Sequence, residues 1–207
     1  MATTTGSGCL FIISAPSGAG KTSLIRVLLE RDAQLKLSIS YTSRPQRSAE
    51  IDGRDYHFVS KDIFKQMQSR GEFLEYAEVY GNLYGTSKKW IDDAIAAGQD
   101  IVLEIDCQGA TQVRRFFSHA IGIFILPPSC VALEKRLISR DQDDAEVIQK
   151  RLEAVREEVS HVNEFDYVII NDELEKAVNN VACIVNAERL KRERQIEKHQ
   201  ALITQLT

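Results

Sequence analysis

The stretch Leu10–Thr22, reading LFIISAPSGAGKT, constrains this chain more than any other. A short apolar run passes at once into a loop of small residues, then a lysine, a hydroxyl residue and the amphipathic run from Ser23 to Glu30. Strand, loop and helix in that order are the setting of a phosphate-binding loop. Gly18, Ala19 and Gly20 keep side-chain bulk away from a backbone whose amides must turn inward on an anion. The helix behind them adds unpaired N–H groups and a partial positive charge. Lys21 is then the residue to reach the β- and γ-phosphates of a nucleotide, and the Thr22 hydroxyl the one to ligate magnesium. Ala15 stands where the full pattern has glycine, so the match is one residue short. A surface glycine-rich turn is the competing reading, and it does not explain why Gly-Lys-Thr opens a helix directly behind apolar strand residues.

Bulk properties narrow the function class. The chain has 207 residues, enough for one domain with inserted lobes. A formal charge of −4 argues against a general nucleic-acid binder, which needs a concentrated basic face, so no nucleic-acid polymer is expected as a partner. Cys9, Cys107, Cys130 and Cys183 lack the close pairing of a zinc site and read as reduced thiols. No apolar run approaches membrane-spanning length, and a cytoplasmic location with no membrane partner is expected.

Along the chain, alternation at Leu35, Leu37, Ile39 and Tyr41 predicts one strand over 35–41, running into an arginine-bearing loop at Arg44 and Arg47. A small strand is expected at 56–59, a helix over 61–69 capped by Ser60, and a strand over 73–79. Gly81–Thr86 reads as a tight connection, and the run 87–97 as a helix ended by Gly98. Apolar runs near 101–105, 121–126 and 167–170 join 10–14 as buried parallel strands. Helices are expected at about 130–139, 145–161 and 174–190, with the charged tail 191–199 continuing the last and an apolar end at 201–206. This tail leaves packing on its own domain and packing on a second copy both open, so a homo-oligomer is among the expectations. The segment 38–97 is too long and too strand-rich for one crossover and reads as an inserted lobe. Residues 130–156 read as a second moving piece, a lid, leaving a core of about 9–37, 98–129 and 157–207.

A phosphate loop alone does not separate a kinase from an NTPase; the second substrate decides. Arg44 and Arg47 lie three apart on a loop, a spacing that lets two guanidinium forks close on one phosphate, although a solvated basic turn has the same look. Tyr56 and Tyr84 could add hydroxyls, but tyrosine beside apolar residues is more often core. Glu75 sits at a strand position where a carboxylate has no packing role. It suits a base carrying N1–H and an exocyclic amine on one edge, which is guanine.

From Cys9 onward the chain resembles the bacterial guanylate kinases. The resemblance is carried by Ala15–Thr22, by Ser40–Pro45 with Arg47 and Glu50, by Gly53–Tyr56, Gly81–Thr86, Glu104–Gly109 and Ile125–Ser129. It implies a three-layer α/β fold, a P-loop NTPase-type parallel sheet flanked by helices, with a mixed α/β GMP-binding lobe and a small helical lid. It also implies magnesium-dependent transfer of the γ-phosphoryl group of ATP to GMP, and to dGMP. By that resemblance Ala15, Pro16, Ser17, Gly18, Ala19, Gly20, Lys21, Thr22, Ser23 and Asn171 belong to the ATP site. Arg44, Arg47, Tyr56 and Tyr84 hold the GMP phosphate, with Glu50 bracing an arginine, while Ser40, Glu75 and Thr86 read guanine. Asp106 is an acid near the magnesium waters or the GMP ribose and base. Glu104 departs from the family's commoner Asp, and Arg136, Arg140 and Arg151 gather on the transferring phosphoryl group. Three alternatives remain: a non-catalytic interaction module on the same scaffold, a kinase for another phosphorylated small molecule, and a GTPase or ATPase switch, the weakest because the insertion would then hold nothing.

Overall fold

The computed structural model describes residues 8–79, 81–140 and 155–206, with the backbone alone for 137–140. Two sheets organise the chain. The first is parallel and five-stranded, in the order β2-β7-β1-β8-β9, from β1 (Leu10–Ser14), β2 (Leu35–Leu37), β7 (Asp100–Glu104), β8 (Ile121–Leu126) and β9 (Tyr167–Ile170). The second is four-stranded, in the order β4-β3-β6-β5, from β3 (Tyr41–Thr42), β4 (His57–Phe58), β5 (Phe73–Val79) and β6 (Asn82–Ser87).

Why β1 is apolar from Leu10 to Ile13 follows from its central place. Phe11 and Ile13 face one layer, where they pack with Leu24, Ile25 and Leu28 of α1 (Lys21–Arg31) and Val178 and Val181 of α6 (Leu174–Arg189). Leu10 and Ile12 face the other layer, with Ile91 and Ala94 of α3 (Lys88–Ala96) and Val113 of α4 (Cys107–Phe116). Alternate side chains thus enter two separate cores, and each fully buried Leu, Ile or Phe contributes about 1.5–3 kcal/mol. Far from the loop, Arg189 at the end of α6 clamps the sheet margin. It donates to Asp32 after α1 and to Asp100 at the start of β7, both at 2.6 Å, and Asp100 also accepts from the Cys9 amide at 2.7 Å.

Three expectations change. The single strand over 35–41 is two: β2 pairs with β7, and after Ser38–Ser40 the chain enters the second sheet as β3 against β4 and β6. Gly81–Thr86 is not a tight connection, because residues from Asn82 on form a full strand antiparallel to β5. Its Gly85 looks like a turn residue, yet a Cβ there would lie 3.0 Å from both the Phe64 and Phe73 rings, which are stacked at 4.4 Å between centroids. Glycine serves the packing of α2 (Lys61–Ser69) against the sheet. The C-terminal tail does not continue α6 but breaks at Leu190–Lys191 into α7 (Arg192–Lys198) and, after His199, α8 (Gln200–Leu206). Of the helix expected over 145–161, residues 155–160 are helical, followed by a short 3-10 turn at His161–Glu164, and 145–154 lie outside the described residues. A helix at 107–116, absent from the expectations, is α4. Among the described residues no helix is long and apolar enough to cross a membrane.

Candidate active site

The strand order reverses at β1, which has β7 on one side and β8 on the other, and ligands of open α/β sheets bind beyond the C-terminal strand ends at such a point. The loop leaving β1 turns through Gly18 and Gly20 at φ 84° and 91°, a left-handed backbone that side chains resist. Gly20 also starts α1, with no side-chain cap on that helix and no acidic residue in its first turn. By contrast α2, α3 and α4 are capped by Ser60, Ser87 and Asp106. The first amides of α1 therefore face the loop without a competing side-chain acceptor.

Neighbouring strand ends pin the loop from behind. Ala19, fully buried, offers its carbonyl to Asn171 Nδ2 at 2.8 Å and to Arg136 Nη1 at 3.4 Å; Arg136 Nη2 also reaches the Asn171 carbonyl at 3.1 Å. Asn171 follows β9, and Arg136 lies on α5 (Cys130–Arg140), so loop, sheet end and helix share one knot. A Cβ on Gly20 would stand 2.5 Å from Asn171 Nδ2, a second reason for glycine there. Lys21 Nζ donates to the Ile105 carbonyl at 3.2 Å, and Thr22 Oγ1 donates to Glu104 Oε1 at 2.6 Å. Ser23 points to solvent, and of its neighbours Ala15, Pro16, Ser17 and Gly18 all line the adjoining cavity.

That cavity, of roughly 310 Å³, lies between the loop and the second sheet. Ser40, Tyr56, Glu75 and Tyr84 line it from the lobe side, Glu104 and Asp106 from the end of β7. Glu75 is 4% exposed, and its Oε1 accepts from the Thr86 hydroxyl at 2.6 Å. Burial, aided by the negative charge of Asp106 and opposed by the Thr86 bond, pushes the Glu75 carboxyl up to about 7. Asp106 Oδ1 accepts from the Gly109 amide at 2.8 Å as the cap of α4.

At the outer rim Arg44 forms a two-pronged pair with Glu50, at 2.7 and 3.1 Å, and Glu50 also accepts from the Arg47 amide at 2.8 Å. The Arg44 bonds hold the Glu50 carboxyl below its ordinary range, and the same pair, with Tyr84, raises the Arg44 guanidinium. Arg44 lies over the Tyr56 ring at 5.5 Å, and Tyr56 meets Tyr84 edge-on at 5.8 Å. Burial first, and then the charge of Glu104, pushes the Tyr56 hydroxyl up to about 12, so it stays a donor. Arg47 itself is exposed.

Arg140 closes α5 with its side chain outside the described residues, and Arg151 lies outside them altogether. One site residue escaped sequence reasoning: Glu158, from the helical 155–160 segment, lines the cavity and accepts from the Ser17 amide at 3.2 Å. Burial raises its carboxyl, and Lys21 and the Ser17 amide oppose that shift. In sequence it is one acid in a charged helical run, with nothing to mark it out.

The donors around Thr22, Glu104 and Asp106 are all oxygen, the set a hard divalent cation takes. Among the described residues no three His, Cys, Asp or Glu side chains form a metal cage. An all-oxygen set of this kind fits magnesium, with Thr22 the residue that would hold it.

Comparison with known proteins agrees with this geometry. The family model described as Guanylate kinase matches residues 7–188. The guanylate kinase of Nitrosomonas europaea is 60% identical over 199 residues, covering 96% of this chain and 99% of its own. That of Nitrosospira multiformis is 57% identical over 204 residues, 99% and 97% of the two chains. Among solved structures, guanylate kinase from Anaplasma phagocytophilum superposes with a TM-score of 0.77 at 33% identity, over 92% of this chain and 90% of that one. Phosphate loop, carboxylate-lined cavity and near full-length similarity converge: this chain belongs to the guanylate kinase family.

Proposed function

We infer that the chain is an ATP:GMP phosphotransferase, moving the γ-phosphoryl group of ATP onto a phosphate oxygen of GMP to give ADP and GDP. The observation that carries this reading is one cavity walled by a phosphate loop on one side and by a buried carboxylate on the other. Residues 15–22 cradle the ATP phosphates, with Lys21 and the α1 amides stabilising charge on the β- and γ-groups. Asn171 braces the loop beneath the nucleotide. Arg44, aligned by Glu50, holds the GMP phosphate with Tyr56, Tyr84 and Arg47. Ser40 and Thr86 meet the guanine ring edge, and Glu75 accepts from N1–H and the 2-amino group. Adenine has no N1–H to give that buried carboxylate beside its Thr86 bond, which is the basis of selectivity.

Bond making needs no general base, because the attacking atom is already an anionic phosphate oxygen. The protein's contribution is alignment and charge stabilisation. Magnesium, held by Thr22 with Glu104 and Asp106 acting through water, would supply charge neutralisation of the β- and γ-phosphates. Arg140 and Arg151 would complete the neutralisation, while Arg136 braces the phosphate loop at Ala19, as the 130–156 lid closes over the 38–97 lobe and excludes water. dGMP is an acceptor in this reading, since no base- or phosphate-directed group requires the 2′-hydroxyl. Action in the cytoplasm, on free nucleotides, completes the picture.

ADP release with ATP and magnesium tests it, run with GMP, dGMP, AMP, CMP, UMP and no acceptor. Turnover confined to GMP and dGMP is expected. Equal release without acceptor would make the protein an ATPase and overturn the proposal.

A further inference from the structure

Glu75 belongs to the second sheet, but what limits its position comes from the first layer. The ladder between β5 and β6 is irregular between Phe73 and Glu75, and the Glu75 carboxylate lies against α4. An ideal Cβ on Gly109 would lie 2.7 Å from Glu75 Oε2 and 3.3 Å from its Cδ. Gly109 sits inside a helix and is not among the glycines with positive φ, so its backbone does not call for glycine and alanine is the better helix former. What calls for glycine is first the carboxylate, with the Ile105 Cβ at 3.3 Å beside it.

One turn further along the same face, Gln112 accepts from the Tyr76 amide at 3.2 Å and donates to the Tyr76 carbonyl at 2.9 Å. A side-chain amide thus engages both backbone groups of the residue next to Glu75. With Thr86 holding Oε1 from β6 and Gly109 facing Oε2 from α4, the carboxylate is bounded on two sides, and Gln112 fixes the backbone next to it.

We propose that Gly109 and Gln112 are positioning residues for the base-reading carboxylate, so that preference for a 2-amino purine is set from α4 as well as by the lobe that carries Glu75. This rests on the reading of Glu75 as the guanine acceptor. A carboxylate displaced by even a methyl group meets N1–H or the 2-amino group, not both, and GMP loses its advantage over IMP, which lacks the amine.

The test compares Gly109→Ala, Gln112→Ala, Glu75→Gln and the Gly109→Ala/Glu75→Gln double variant. KM for GMP, IMP and ATP is measured for each, with the melting temperature. For Gly109→Ala we expect GMP KM to rise about tenfold and the GMP-over-IMP preference to narrow, with ATP KM within about twofold and Tm equal or higher. Gln112→Ala should move GMP KM and the preference in the same direction by less, and the double variant should be no worse than Glu75→Gln alone. If Glu75→Gln erases the preference while Gly109→Ala and Gln112→Ala retain it, positioning from α4 is overturned and the reading of Glu75 stands. If Glu75→Gln leaves the preference intact, that reading fails and this proposal falls with it. Lowered Tm with GMP and ATP KM rising together in both single variants would make the two residues purely structural and overturn the proposal.

Discussion

The two ends of the cavity are built in opposite ways. At the phosphate loop, the groups proposed to meet ATP are consecutive in the chain and mostly backbone: amides of 17–22 with the side chains of Lys21 and Thr22, braced from behind by Asn171 and Arg136. At the far end they are side chains from just before β3 and β4, from the 43–50 loop, and from β5 and β6, with Arg44 held by Glu50 and Glu75 by Thr86. A backbone cradle is made by local conformation and tolerates most changes that spare its glycines. A side-chain cradle is only as good as its supporting contacts. The first design suits the triphosphate common to many reactions, the second a single base.

Breaking the cradle at its one charged side chain should have the largest effect. Lys21→Met is expected to lower kcat by about 10²- to 10³-fold, the usual loss for one group aimed at transition-state charge, with the melting temperature little changed. Steady-state kinetics beside a thermal scan checks it, and a loss below tenfold would shift the catalytic load onto the α1 amides. Next comes Glu75→Gln. Replacing a buried carboxylate that accepts two donors should cut kcat/KM for GMP by roughly 10²-fold while leaving ATP KM nearly unaltered. Parallel loss on both substrates would show that the two ends are not independent.

A pH series separates the ends more finely. In the folded chain the Glu75 carboxyl keeps its proton up to about pH 7, whereas in the unfolded chain it ionises at its ordinary value. Folding therefore takes up a proton between those values. The group's contribution to stability is fully present below the unfolded pKa and is lost as pH rises through about 7. The melting temperature of the wild type should accordingly fall relative to Glu75→Gln between pH 5 and 8. With Glu75 as the proposed guanine acceptor, guanine's donors favour the ionised form, so GMP binding should release that proton and GMP KM improve by up to about tenfold from pH 6 to pH 8. The same series in Glu75→Gln subtracts the titration of the GMP phosphate, and equal slopes in the two proteins would refute the assignment. The smallest effect on catalysis belongs to Arg189→Met. Removing the clamp on Asp32 and Asp100 should cost about 2 kcal/mol of stability by chemical denaturation, with KM for both substrates unmoved.

The same contrast explains what could be read from residues alone. The parallel strands and the loop at 10–22 were legible because each is a local signal: an apolar run doubly buried, glycines beside a lysine, a helix behind. Alternation at Leu35, Leu37, Ile39 and Tyr41 reports a buried face but not which neighbour covers it, so one strand was expected where two sheets share the chain. Gly85 and Gly109 both look like interruptions to local structure. Their reasons lie across the fold, in two stacked rings for the first and in a carboxylate for the second. Glu50 was legible as a brace only through resemblance, and Glu158 carried no signal, since its partner Ser17 is remote in sequence.

The break at Ser38–Ser40 bears on how such enzymes diversify. β2 and β7 are hydrogen-bonded neighbours, and the whole second sheet is spliced into the crossover between them. Hydrogen bonding between those strands fixes both ends of the splice, and the closure cost of a crossover grows only slowly with its length. Lengthening, shortening or exchanging the insert therefore leaves the register of β7 against β1, and the loop that β1 feeds, untouched. Acceptor choice lies in the insert and in the α4 face packed against it, apart from the loop that β1 feeds, so lineages can acquire new phosphate acceptors by changing those two while keeping the engine that spends ATP.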